Sequence, residues 1–244
     1  MNRGLFALLC IAGLLAPASA AAQSDTWGVE ADVNTRYLWR GIPNSDGPVF
    51  QPYVWLTRAG TTVSAWSNME TGTGARPWEF DQLFFTASHA RALGRWRVEP
   101  TFQGYVWRGA PGEAGARTLE LSATLSRPLG AVSLVTTQTL DVASYRGAFV
   151  ADGGLQWAGT ARRWRLESSA TLAWANRAFN RAYVGADVTA VNYAQLSVAG
   201  TRTSASGWYL RPHAELVSTL NGDVRRALGE RTRASVGLAA GREF

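Results

Sequence analysis

The chain offers few side chains for acid–base or nucleophilic work. Past the N-terminal stretch its only histidines are His89 and His213, and its one cysteine, Cys10, lies within that stretch. Glu215 stands two positions after His213, so on a strand the carboxylate would share the ring's face and orient it as a general base. No serine beside either histidine reads as the nucleophile a lipid hydrolase would need; the contexts are SHARA and PHAEL. A His–Glu pair on a polar strand face reads as a braced pair, and no catalytic activity is expected. No Cys/His cluster and no phosphate-cradling glycine loop occurs, so no metal or other cofactor is expected.

The charged residues say more. Arg36, Arg40, Arg97, Arg165, Arg211 and Arg233 fall on the polar parity of their segments, together with His213. So do Glu30, Asp32, Glu99, Glu120, Asp141, Asp152, Glu167 and Glu215. Both signs occur in similar number, often two residues apart (Arg97/Glu99, Arg165/Glu167), which predicts a paired network lining a narrow polar interior. All 24 basic residues are arginine and the formal charge is +6. An exported chain of this kind meets anionic lipid headgroups or anionic solutes rather than nucleic acid.

The elements that must position these charges are strands. From Thr26 to Gly41 the sequence TWGVEADVNTRYLWRG places Trp27, Val29, Ala31, Val33, Tyr37 and Trp39 on one parity and Glu30, Asp32, Asn34, Arg36 and Arg40 on the other. The same alternation recurs in segments of about ten residues, as in WRVEPTFQGYVW and RTLELSATLS. Tight connectors such as Ala59-Gly60 and Ser206-Gly207 take turns with longer polar ones near 41–48, 71–78, 109–116, 144–148, 176–193 and 220–231. The stretch 181–190 is assigned to a loop, because counting it as a strand makes the total odd. GDVRRALGE, near Gly222, is the nearest approach to a helix.

Residues 1–22 read as a secretory signal peptide, with a basic start at Arg3, an apolar run from Leu5 to Leu15 and cleavage after Ala20 or Ala22. Residues 23–244 form a single domain. The choice for it is a soluble sandwich or a membrane barrel. From Trp27 to Trp39, strand rise and tilt give roughly 30 Å along the membrane normal, enough for an apolar band of about 25 Å between aromatic girdles. Trp27, Trp39, Trp96, Trp164, Trp174 and Trp208 are the expected girdle, whereas Trp107 falls on the inward parity. The chain closes on Phe244 with Val236, Leu238 and Ala240 at alternate positions before it, the C-terminal signal by which barrel-assembly machinery takes up its clients; Arg242 departs from that pattern. The fold expected is therefore all-β: a closed antiparallel transmembrane β-barrel of about twelve strands, with short periplasmic turns and longer extracellular loops, in the outer membrane of a Gram-negative bacterium.

RYLWRGIPNSDGP, followed by AWSN at 65–68 and EFD at 79–81, resembles the proteobacterial Gcw_chp family over the first third of the chain. Tyr37, Trp39, Arg40, Gly41, Ile42, Pro48, Trp66, Ser67, Asn68, Glu79 and Asp81 carry the match. The resemblance implies an outer-membrane barrel without naming an activity. The expected function is a porin-like channel, or uptake of a small polar or anionic solute, by a monomer surrounded by outer-membrane lipids and lipopolysaccharide. The alternatives are a non-conducting structural, adhesion or lipopolysaccharide-binding barrel, and a lipid-modifying enzyme. Loop arginines 76, 146, 177, 181, 225 and 226 are the candidates for lipopolysaccharide phosphates.

Overall fold

The computed structural model describes residues 25–45, 47–72, 78–108 and 115–244. The signal peptide, Cys10 and Arg76 lie outside them. Twelve long strands follow one another: β1 (Thr26–Asn34), β2 (Val49–Arg58), β3 (Thr61–Glu70), β4 (Phe80–His89), β5 (Trp96–Trp107), β6 (Ala116–Leu129), β7 (Val132–Asp141), β8 (Phe149–Ala161), β9 (Trp164–Ala175), β10 (Ala190–Thr203), β11 (Trp208–Thr219) and β12 (Thr232–Glu243). Each pairs antiparallel with its neighbours in sequence. The ring closes where β1 meets β12, from Gly28 opposite Glu243 to Asn34 opposite Gly237. Closure leaves no free edge, which is what lets a sheet sit in hydrocarbon.

Side-chain parity separates two faces. Val29, Val33, Val54, Leu56, Phe85, Phe102, Leu172 and Leu238 all point outward and exposed. An apolar surface of that extent would drive aggregation in water and suits lipid. Among the described residues no helix is long and apolar enough to cross a membrane, so strands alone form the wall. Residues 181–189 stay out of the sheet: a helical turn at Arg177–Phe179 runs into a π-turn at Asn180–Val184, and Ala190, the last residue of the expected loop stretch, opens β10 opposite Ala175. The second long connector holds α1 (Gly222–Leu228), N-capped by the Asn221 side chain.

The first strand departs from the sequence reading. It ends at Asn34 rather than running on to Trp39. Residues 35–45 instead turn into the barrel and form a short hairpin, Leu38–Trp39 against Ile42–Pro43. Arg40 and Gly41 both have positive φ (52° and 77°), the signature of the tight turn that matches strand twist. Gly41 is needed twice over, since a Cβ there would come within 2.6 Å of the Tyr193 ring.

The hairpin divides the interior. Nearly every buried lumen-facing side chain belongs to the half of the barrel that carries the long loops, among them Gln51, Asn68, Tyr105, Glu120, Asp141, Tyr193, Val217 and Arg233; Thr57 and Ala239 are exceptions. Ile42, Phe179, Val184 and Val224 pack with Trp39, Tyr145 and Tyr183 into an apolar cluster at that end. The half that carries the tight turns is open and polar.

Candidate functional site: a plugged, charged lumen

The plug is held by its own backbone first. Ser45 Oγ accepts from the Tyr37 amide at 2.8 Å and donates to the Gly47 carbonyl at 2.9 Å. The Asn44 amide closes on the Tyr37 carbonyl at 2.9 Å, and Ser235 Oγ donates to the Arg36 carbonyl at 2.7 Å. Leu38 then packs on Ala173, Tyr193 and Val217 of the barrel wall.

Trp39 is therefore not a girdle residue. With β1 ended five residues earlier, its ring meets Tyr183 at 5.2 Å, Tyr105 at 6.0 Å and Trp107 and Phe179 at 6.4 Å, all inside the barrel. Trp107 faces inward, as its parity predicts, and stacks on Tyr105 at 5.4 Å. The remaining tryptophans of the expected girdle do lie on outward parity. Trp27 stacks on Phe244 at 4.0 Å. Trp96 carries the Arg127 guanidinium and Trp208 that of Arg242, each at 5.6 Å. Trp174 packs edge-on to Phe149 at 6.0 Å, and Trp164 opens β9.

Arg40, at the tip of the hairpin, makes a two-pronged bond to Glu120 at 2.8 and 2.6 Å, reaches Tyr105 Oη at 3.3 Å and lies over the Trp39 ring at 4.5 Å. The Glu120 side chain keeps 2 % of its surface, so this is a desolvated ion pair. Nearby, Asp141 is fully partnered. It accepts from Thr118 Oγ1 at 2.6 Å, the Tyr183 hydroxyl at 3.0 Å and the amides of Ala143 and Tyr145 at 2.9 and 3.1 Å. Tyr183, on the loop, is held above the ordinary phenol range by burial and then by Glu120 and Asp141, so it stays neutral and keeps donating.

A second set of bonds links β1 to β4 like rungs. Asn34 donates to Gln51 at 3.1 Å, Gln51 to Asn68 at 2.8 Å, and Asn68 to both oxygens of Asp81 at 2.9 and 3.1 Å. Trp66 contacts Tyr37 at 5.3 Å and Phe84 at 4.7 Å. Of the residues that carry the Gcw_chp resemblance, Tyr37, Trp39, Arg40, Gly41 and Ile42 build the plug, Trp66 packs on it, Asn68 and Asp81 belong to the rungs on the wall beside it, and Glu79 pairs with Arg108 at the rim at 2.7 Å. Gln51, Tyr105, Phe179, Tyr183 and Tyr193 escaped the sequence reading; inward parity on the strands was the available signal for three of them.

Below the plug a cavity of about 860 Å³ reaches from Tyr37 and Trp66 to the tight turn at Gly130. Most of its charges are paired with an opposite one, Glu215 being the exception. Arg211 bonds Glu30 at 2.6 Å, and Glu30 also accepts from the Tyr209 hydroxyl at 2.7 Å. Arg165 bonds Glu167 at 2.9 Å along its own strand, as Arg97 bonds Glu99 at 3.1 Å on β5 away from the cavity lining. His213 meets Asp32 at 3.0 Å, not Glu215, because Gly237 has no side chain and opens the path across β12. Glu215 accepts from Gln195 at 2.9 Å. Among the described residues no serine hydroxyl bonds His213. Asp152 stands on the lumen wall of β8, Arg36 pairs with Glu230 at 3.3 Å, and the Arg233 side chain is buried and donates to the Leu228 carbonyl at 2.6 Å, closing the C-terminus of α1.

The loop arginines are partly occupied. Arg177 and Arg181 pair with Asp187, and Arg226 pairs with Asp223. Arg146 and Arg225 are exposed.

Comparison with known proteins bears on the fold. No family model matches the chain, and no curated protein matches it in sequence. Solved structures do match. The NanC porin aligns with a TM-score of 0.54 over 88% of this chain and 98% of its own, at 10% identity. The KdgM porin in complex with disordered oligogalacturonate aligns at 0.52, over 90% and 99%, at 8% identity. The chain is a closed twelve-stranded antiparallel β-barrel, and its fold resembles outer-membrane porins. At such identities the likeness concerns the fold.

Proposed function

We propose that the protein is a porin-like uptake barrel for a small polar or anionic solute in the outer membrane of a Gram-negative bacterium. It is a monomer among outer-membrane lipids and lipopolysaccharide, delivered by barrel-assembly machinery through Val236, Leu238, Ala240 and Phe244. Membership of the Gcw_chp family is part of the same reading, resting on the residues from Tyr37 to Asp81. One observation carries it: a polar, charge-lined cavity of about 860 Å³ inside a closed barrel whose outer face is apolar. The fold shared with the KdgM and NanC porins supports it, and the KdgM porin forms a complex with oligogalacturonate, an acidic oligosaccharide. Mostly paired charges in the cavity, with Glu215 left acidic, favour passage of polar solutes without the strong anion preference of an arginine-dominated pore.

The hairpin sets the resting state. Tyr37, Leu38 and Trp66 roof the cavity, so conduction requires the 35–45 segment to move. In planar bilayers the wild type is expected to rest closed with brief openings. A variant in which 38–43 is replaced by a short polar turn is expected to carry steady current. No current from either protein, each inserted and folded, overturns the channel reading.

The packed loop half favours a second reading, a non-conducting barrel that presents its loops. Exposed Arg146 and Arg225 are then the charges that meet lipopolysaccharide. A lipid hydrolase has no comparable support, since His213 is engaged by Asp32; phospholipid cleavage abolished by His213→Ala establishes that activity instead.

A further inference from the structure

The outer surface at the turn end carries a cleft that transport does not use. It lies between β9, β10 and β11, encloses about 650 Å³ and is lined by Arg163, Arg202, Ser204, Trp208 and Leu210. Arg163 sits in the β8–β9 turn, and Arg202 lies opposite Leu210 across the β10–β11 ladder. Gly200 shapes one flank: a Cβ there would come within 3.3 Å of the Leu166 side chain and 3.4 Å of the Trp164 ring.

Three arginines around this rim are engaged, whereas Arg163 and Arg202, like the turn residues Arg95 and Arg162, have no acidic partner among the described residues. Arg58 pairs with Asp25 at 3.4 Å, Arg127 lies on Trp96, and Arg242 lies on Trp208 and Phe244. Arg163 and Arg202 are exposed, and neither forms an ion pair among the described residues. Farther along the same wall the surface turns apolar, with Leu196 and Val198 each 56% exposed. On β10 and β11 the rim carries Ser204 opposite Trp208, Arg202 and Leu210 stand two residues deeper, and Val198 and Leu196 continue the wall toward the membrane centre.

We propose that this cleft binds an anionic glycerophospholipid of the periplasmic leaflet. The phosphate lies between Arg163 and Arg202, whose planar forks match its oxygens. Trp208 flanks the headgroup on its rim side, where an indole with one wet edge is favoured. The acyl chains run along Leu210, Val198 and Leu196. Two uncompensated positive charges select a headgroup of net negative charge over a zwitterionic one. The assignment rests on the proposed membrane location and orientation, and not on conduction.

The test uses the mature barrel in nanodiscs of phosphatidylglycerol and phosphatidylcholine with matched chains, transferred to detergent for native mass spectrometry. The wild type is expected to retain phosphatidylglycerol, with each arginine worth about fivefold in retention. Arg163→Gln with Arg202→Gln is expected to bring the two lipids to parity. Arg163→Lys with Arg202→Lys, which keeps the charge but loses the fork, is expected to fall between. Excess inorganic phosphate alone is expected to leave the bound lipid in place, because a free anion gains nothing from the apolar wall. Equal retention of both lipids by the wild type overturns the proposal, as does unchanged preference in the Gln pair or displacement by phosphate. A barrel that never inserts overturns the membrane reading together with this one. A barrel that keeps its lipid yet conducts nothing overturns only the transport reading.

Discussion

Arg40 shows how one residue can pin the inward hairpin to the barrel wall. It occupies a left-handed backbone position that costs a non-glycine residue of order 1 kcal/mol or more, and it spends that strain aiming its guanidinium at Glu120. Removing the cation strands a carboxylate whose side chain is almost wholly buried. Arg40→Ala is therefore expected to destabilise the folded barrel by about 3–5 kcal/mol, read from urea unfolding in lipid vesicles. The double variant Arg40→Met with Glu120→Leu is expected to recover most of that loss, since an apolar pair of similar volume needs no desolvation. Equal losses in the single and double variants would show that the pair is not what secures the hairpin. His213 makes a different point at this scale. Spacing along the strand offers Glu215 as its partner, but the seam between β1 and β12 brings Asp32 closer, a contact set by closure of the ring.

At the scale of elements, the barrel strands were legible because lipid on one side and water on the other impose a period of two. The assignment of 181–190 to a loop followed from the even count that such barrels keep. The plug was not legible. Tyr37 and Trp39 continue the parity of Val29 and Val33, and a short hairpin alternates just as a barrel strand does. Nothing local distinguishes a tryptophan facing lipid from one facing Tyr105 and Tyr183. The Arg40-Gly41 step was the remaining clue, since only its backbone geometry reverses the chain. The loop bearing the π-turn is tied by Asp187, whose carboxyl is held below its ordinary range by the hydrogen bond from Arg181. A depressed carboxylate contributes stability that is fully present above its unfolded value, near pH 3.9, and is lost as pH falls through the folded value. Amide exchange across 176–189, corrected for intrinsic rates, is expected to rise as the pH drops below about 4, and Asp187→Asn is expected to remove that dependence.

The whole molecule depends on its seam. The β1–β12 ladder is the last contact the ring makes, and it joins residues more than two hundred positions apart in sequence. Trp27 stacked on Phe244 marks where the two ends meet, reinforced by the Phe244 amide donating to the Trp27 carbonyl at 2.9 Å. Phe244→Ala is expected to lose about 0.5–1.5 kcal/mol of ring–ring interaction beyond the lost area. Its larger effect is expected in assembly, seen as a smaller fraction of heat-modifiable folded barrel on a gel. Trp27→Ala should match it in stability but not in assembly, if the terminal residue is also read by the machinery that inserts the chain.

The uneven filling of the interior has a physiological corollary. A vessel stoppered above and open below equilibrates with one compartment only. In the proposed orientation, many copies would stand in an envelope without leaking detergents or antibiotics inward, and whatever the lower chamber shelters would belong, chemically, to the periplasm.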